Sequence, residues 1–325
     1  MIQLTYSTYW TIRKGLTAIL FLVMLSGCEP HDTSKNSPTS GSLILYVDET
    51  YVELIRPLAD SFTTSYAPAM SIDIKTLQAR DAVEELINQH LADTSLSNTA
   101  AAVGIIIGRE LLEDERRIIG ERNLNQRLLE IPLAWDGLAL VVPNESPLKE
   151  TTVAQLREAL ITEDRRANVL QEGSGNEQLR FVFTSPNSSS YGYVREHLLK
   201  GDEPASPARW LGTADSAIDQ IANGEGIGLM AWYRAHQDSV RLRTLKVGYA
   251  DSTGIINPPV RVHTVSLVMD KYPMKLHVVG YSLAGTKSPA NGFLSWLASS
   301  DIAQQQMAKK GLEPENVRFT LIPSQ

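Results

Sequence analysis

The 325-residue chain has one cysteine, so no disulfide can form within it. Its stability has to come from a packed core. Aromatic residues are few, at 7%, yet hydrophobic residues reach 43% and charged residues 21%. That composition excludes disordered, collagen-like and coiled-coil architectures, and the length suits about two domains. No long basic run occurs, and 30 Lys plus Arg stand against 37 Asp plus Glu for a net charge of −7. Electrostatic capture of nucleic acid is therefore excluded, and an anionic ligand must be held by local donors. The histidines (His31, His90, His197, His236, His263 and His277) are dispersed, with no two at helix-face metal spacing and no second thiol beside them. No metal or cofactor is expected. There is no Gly-x-Ser-x-Gly elbow, and Gly224-Glu225-Gly226-Ile227-Gly228 precedes a strand pattern, which makes it structural and not a nucleotide loop. No catalytic residue is assigned.

The N-terminus carries an address. A basic pair (Arg13, Lys14), an apolar stretch from Leu16 to Leu25 and Leu25-Ser26-Gly27-Cys28 follow in order, which resembles a bacterial lipoprotein signal cleaved before Cys28. The apolar stretch is about half of the ~20 residues a spanning helix needs. By this reading residues 1–27 are removed, Cys28 is the lipid attachment site, and the mature chain carries −9, because Arg13 and Lys14 are the only charges lost. Residues 28–41, rich in Ser, Thr, Pro and Asn, read as a disordered tether that reaches about 45 Å when extended. The expected location is the periplasmic side of a bacterial envelope, on a lipid anchor.

From Leu43 onward, short apolar runs alternate with helical patterns. Leu43–Val47 is a strand; Ile55, Leu58, Ala59 and Phe62 mark a helix with Pro57 in its first turn; Met70–Leu77 alternates; and Asp81 with Glu84 makes a capping-box-like helix start. Ala101–Ile107 is a second buried strand, followed at Gly108-Arg109 by a helix over Glu110–Ile119. This order predicts an α/β fold with a mainly parallel sheet flanked by helices. Ile131–Val142 is too long for an ordinary strand and suits a passage between domains. Thr152 with Gln155 forms a capping box; Leu179–Thr184 is a strand; a helix follows Ser185–Ser190; Ala214–Ala222 is helical; and Gly226–Trp232 is a strand. Alternating runs occupy Val240–Val247 and Val262–Met269, before the capped helix at Ser288-Pro289 and a last helix stopped by Gly311.

Three strand-to-helix turns suit an oxyanion, because free backbone N–H groups converge there. They are Asp48-Glu49-Thr50-Tyr51, Gly108-Arg109 and Asn187-Ser188-Ser189-Ser190. Asp, Ser and Thr are also ordinary helix caps, and Arg109 by default is a solvated surface residue.

Several segments carry a family resemblance. Trp135-Asp136-Gly137-Leu138-Ala139 through Pro143-Asn144 and Thr152-Val153-Ala154-Gln155-Leu156 is similar to a segment of the phosphate-type substrate-binding proteins of ABC importers. Gly226-Ile227-Gly228, Tyr272-Pro273, Phe293–Leu297 and Gly311-Leu312-Glu313-Pro314 resemble later parts of the same family. The resemblance implies a two-lobed periplasmic-binding-protein-like fold, with residues 42–133 plus 266–325 as one lobe and 134–265 as the other. Asp136 and Gly137 would lie at the hinge. It also implies ligand contacts from Asp48, Glu49, Thr50, Tyr51, Arg80, Asp81, Gly108, Arg109, Ser188, Ser189 and Ser190. In that mapping Asp48 or Glu49 accepts a hydrogen bond from the proton that phosphate retains, and Arg109 supplies positive charge. The implied partners are phosphate or a related oxyanion, ABC transporter membrane subunits and membrane lipid, with the chain a monomer. Two alternatives are a ligand-free sensing scaffold of the same fold and a phosphate-ester hydrolase.

Overall fold

The computed structural model describes residues 36–92, 101–162, 180–205, 208–250 and 254–316. The expected leader, Cys28 and most of the tether lie outside the described residues. The tether is shorter than expected, since strand β1 (Ser40–Asp48) takes in its last two residues and Ser37 bridges Ser40.

β1 pairs in parallel with β2 (Ala69–Leu77) and β3 (Ala102–Ile107), in a register that sets Leu43 beside Ile72 and Ala102. Alternation along these strands feeds two layers. Leu43, Leu45, Val47 and Ile106 pack with helix α1 (Val52–Ser65) and helix α9 (Pro289–Ser299), where Phe62 meets Phe293 edge-on at 5.2 Å. On the other face Tyr46, Ile105 and Ile107 pack with helix α2 (Ala79–Ala92) and helix α3 (Glu113–Glu121). Helices thus cover both faces, as the βαβ order requires.

Strand β4 (Leu129–Pro143) is the 15-residue element that contains the expected passage. Its first part pairs antiparallel with β12 (Lys275–Ser282), up to Gly137 opposite Lys275. From Leu138 it pairs with β8 (Ile227–Ala231), and Val141–Pro143 also pair with β9 (Leu242–Thr244). Beyond β8 lie β6 (Phe181–Phe183) and β7 (Ala208–Trp210), parallel to one another. The sheet order is β2-β1-β3-β12-β4-β8-β6-β7, with a short β13 (Glu313–Pro314) on β4. Each half is parallel, and the antiparallel pairings sit at the centre, where β4 and β12 cross. A separate three-stranded sheet joins β5 (Glu150–Thr152), β10 (Lys246–Ala250) and β11 (Ile256–Arg261). No helix among the described residues is long and apolar enough to cross a membrane.

Local signals account for several elements. Thr152 and Gln155 close the capping box that opens helix α4 (Val153–Ile161). Ser288 caps α9 with Pro289 at its first position, and Gly311, at φ +99°, follows helix α10 (Asp301–Lys309). Four expectations are corrected. Pro57 is the sixth residue of α1, not in its first turn; it is exposed, as is Glu53, whose carbonyl loses its helical partner to the solvent side. Asp81 is within the first turn of α2, not its cap, since Ala82 N–H already bonds to Gln78 O. The helix after β3 starts at Glu113, three residues later than expected. Val262–Met269 does not alternate as a strand: Thr264–Val268 forms helix α8, fixed by His263 N–H donating to Ser266 Oγ at 2.9 Å.

Candidate functional site

The turns after β1 and β3 meet the turn that opens helix α5 (Ser189–Tyr193), and one carboxylate joins them. Asp48, 1% exposed, accepts a hydrogen bond from Thr50 N–H at 2.9 Å on one oxygen and a very short one from the Ser189 hydroxyl on the other. Gly108 N–H donates in turn to Ser189 Oγ at 2.9 Å. Close approach needs the glycine, because a Cβ at position 108 would lie 2.5 Å from the Tyr51 ring.

Neighbouring groups tighten the same contact. Glu49 reaches across to accept from Ala214 N–H, at the start of helix α6 (Ala214–Ala222), at 2.8 Å, while Gln78 Nε2 holds its other oxygen. A negative charge at a helix start is favourable. Arg80 N–H donates to Asn187 O at 3.0 Å, and Asn187 Nδ2 donates to Asp81 at 2.7 Å. Behind them Asp136, wholly buried, accepts from Gly137 N–H at 2.7 Å, Tyr51 Oη at 3.1 Å and Tyr233 N–H at 3.2 Å. Tyr51 and Tyr233 stack at 5.7 Å, with Tyr233 in helix α7 (Trp232–Gln237). Burial pushes the Asp136 carboxyl up to about 7 despite these three donors, and lifts the Tyr51 hydroxyl well above its ordinary value. Asp136 and Gly137 are the residues at which β4 changes partners from β12 to β8.

Not every expected residue offers a free group. Arg109 is no solvated residue: it is 3% exposed, and Glu115 takes both terminal nitrogens at 2.7 Å. Its remaining Nε packs over Gly192, where a Cβ would come within 2.6 Å. Arg80 binds Asp114 at 2.6 Å, so neither guanidinium faces the Asp48 cluster unengaged. The Ser188 hydroxyl bonds to Ser185 O at 2.8 Å and caps α5, which is the ordinary structural use of a serine there. Ser190 is buried in the first turn of α5. Sequence reasoning missed Gln78, Glu115, Ala214 and Tyr233, since each acts through a partner that no local motif names.

Chemically the cluster gathers donors around one negative group. Two backbone N–H groups and a hydroxyl converge on, or one bond from, a single carboxylate, so the chain's own Asp48 shows where a negative oxygen is stabilised.

The family model described as "PBP superfamily domain" matches residues 32–301. No curated protein matches the sequence. Among solved structures, a Clostridium perfringens protein with bound phosphate aligns at TM-score 0.63 and 15% identity, over 84% of this chain and 99% of that one. An ABC-type phosphate transport receptor from Vibrio cholerae aligns at 0.60 and 12%, over 84% and 100%. A Synechocystis regulatory domain in complex with 2-PG aligns at 0.51 and 16%, over 79% and 96%.

Proposed function

The chain belongs to the PBP superfamily, and on that premise we propose that it is a lipid-anchored solute-binding protein that takes phosphate, or a related tetrahedral oxyanion, between its two lobes and delivers it to the membrane subunits of an ABC importer. The observation that carries this reading is the convergence of Thr50 N–H, Gly108 N–H and the Ser189 hydroxyl around Asp48. Those donors come from both lobes, so an anion seated among them would hold the lobes together. Flexing of β4 at Asp136-Gly137, with β12 alongside, separates the lobes for entry and release. Phosphate near neutral pH keeps a proton with which it can donate a hydrogen bond to Asp48, whereas sulfate has none, and the carboxylate then favours phosphate over sulfate. The likeness to the Clostridium and Vibrio structures supports the ligand class. The leader and Cys28 support the anchor and the periplasmic address. No bond need be broken in this role, and Ser189 donates to a carboxylate, with no histidine or lysine among the described residues hydrogen-bonded to it to activate it as a nucleophile.

One observation favours a second reading. The same donors are already satisfied by Asp48 and the lobes are latched by Glu49 on Ala214, an arrangement that suits a closed, ligand-free scaffold of the same fold. Titration calorimetry with phosphate, phosphonate, sulfate and molybdate separates the two. Saturable binding with phosphate preferred over sulfate supports the carrier. No heat from any oxyanion leaves the scaffold.

A further inference from the structure

Beside the oxyanion cradle lies a cavity of about 450 Å³ that the proposed transport role does not use. It starts one residue past Gly108, at Arg109, and its opposite wall continues from α5 into the π-helical turn Val194–Leu198, which contributes Glu196 and His197. Trp135 of β4, Lys275 and His277 of β12 and Tyr249 of β10 also line it. The size is that of a small-molecule site.

Arg109 and Lys275 each stand beside an acid. Glu115 holds Arg109 at 2.7 Å, and Lys275 lies 2.9 Å from Glu313 and 3.6 Å from Asp270. His277 stands between Glu110 at 3.3 Å and Glu315 at 3.5 Å. Arg116, 3.9 Å from Glu110, is itself bound by Glu130 at 3.1 Å. Glu196 is half-buried in the wall with no ionic partner among the described residues. Of the lining residues, Arg109 and Lys275 are the permanent cations against Glu110, Glu196 and Asp270, and Glu115, Glu313 and Glu315 stand directly behind them, so acid predominates around the cavity.

The rings of Tyr193, Tyr249 and Tyr272 complete the lining. Acidic walls with aromatic faces are the setting that attracts an organic cation. The chain already makes such a contact within the cavity, where Lys275 Nζ lies 4.9 Å from the Trp135 ring centroid. We propose that this cavity is a second ligand site, distinct from the oxyanion cradle, for a small organic cation: a protonated amine or quaternary ammonium on a compact body. Its walls come from both sides of the β4 crossing, so an occupant also favours closure.

The test is calorimetry of the full-length chain with choline and with phenethylamine, ammonium chloride serving as the charge-only control and phosphate titrated separately. The expected result is saturable binding of at least one organic cation, weakened about fivefold or more by Glu196→Gln and by Tyr249→Ala, with phosphate affinity unchanged in both variants. Two variants guard against one failing to fold, which thermal melting detects. The proposal is overturned if neither organic cation binds, or if a folded variant of either kind binds as tightly as the parent chain. A chain that binds the cation but no oxyanion sinks the transport reading alone.

Discussion

The turns after β1 and β3 end neighbouring parallel strands and both carry charge, yet they direct it oppositely. Asp48 and Glu49 reach across the crevice, to Ser189 and to Ala214 N–H. Arg109 folds back on its own side, onto Glu115. One turn therefore closes the site while the other stiffens its wall. An arginine beside such a cluster is not for that reason free to take a ligand.

That contrast can be broken at several points. Glu115→Ala leaves the Arg109 guanidinium buried and unpaired, which should cost about 3–5 kcal/mol in urea unfolding. A loss below about 1 kcal/mol would contradict the wall role. Asp136, which anchors Tyr51 of the β1 turn, adds a pH dependence. Its carboxyl titrates near 7 in the folded state and near 4 unfolded, so between those values the folded chain holds the extra proton and stability falls as pH rises. The fall should amount to at most a few kcal/mol between pH 4 and 8, since each pH unit over which only the folded chain keeps the proton is worth about 1.4 kcal/mol. Asp136→Asn should flatten that component, and an unchanged slope would refute the assignment. Asp48→Ala strands the Thr50 N–H and the Ser189 hydroxyl, for about 2 kcal/mol, and small-angle scattering should show a larger radius as the lobes part. Glu49→Gln keeps a neutral acceptor at the start of α6 and should cost about 0.5–1 kcal/mol, lost in high salt.

Much of the fold is legible in the sequence because its signals are local. The capping boxes at Thr152 and at Ser288-Pro289, the apolar run of β1 and the helix at Ala214–Ala222 each depend on residues within one or two turns. The three strand-to-helix turns are legible for the same reason. What is illegible is pairing at a distance: Asp48 and Ser189 are 141 residues apart, and Glu49 and Ala214 are 165 apart. Arg109 reads as solvated because its partner, only six residues on, is brought back by the start of α3, where Leu112 N–H bonds to Glu115 at 2.9 Å. Val262–Met269 has β-branched residues at strand-like spacing, but a single cap at His263 outweighs that preference over five residues.

The most direct test of the shared cradle is phosphate calorimetry on Ser189→Ala beside the parent chain. Among the described residues Ser189 alone bonds both the Asp48 carboxylate and Gly108 N–H, so the account predicts one phosphate per chain and at least about a tenfold loss of affinity in a variant that still folds. Equal affinity in the two proteins would contradict it.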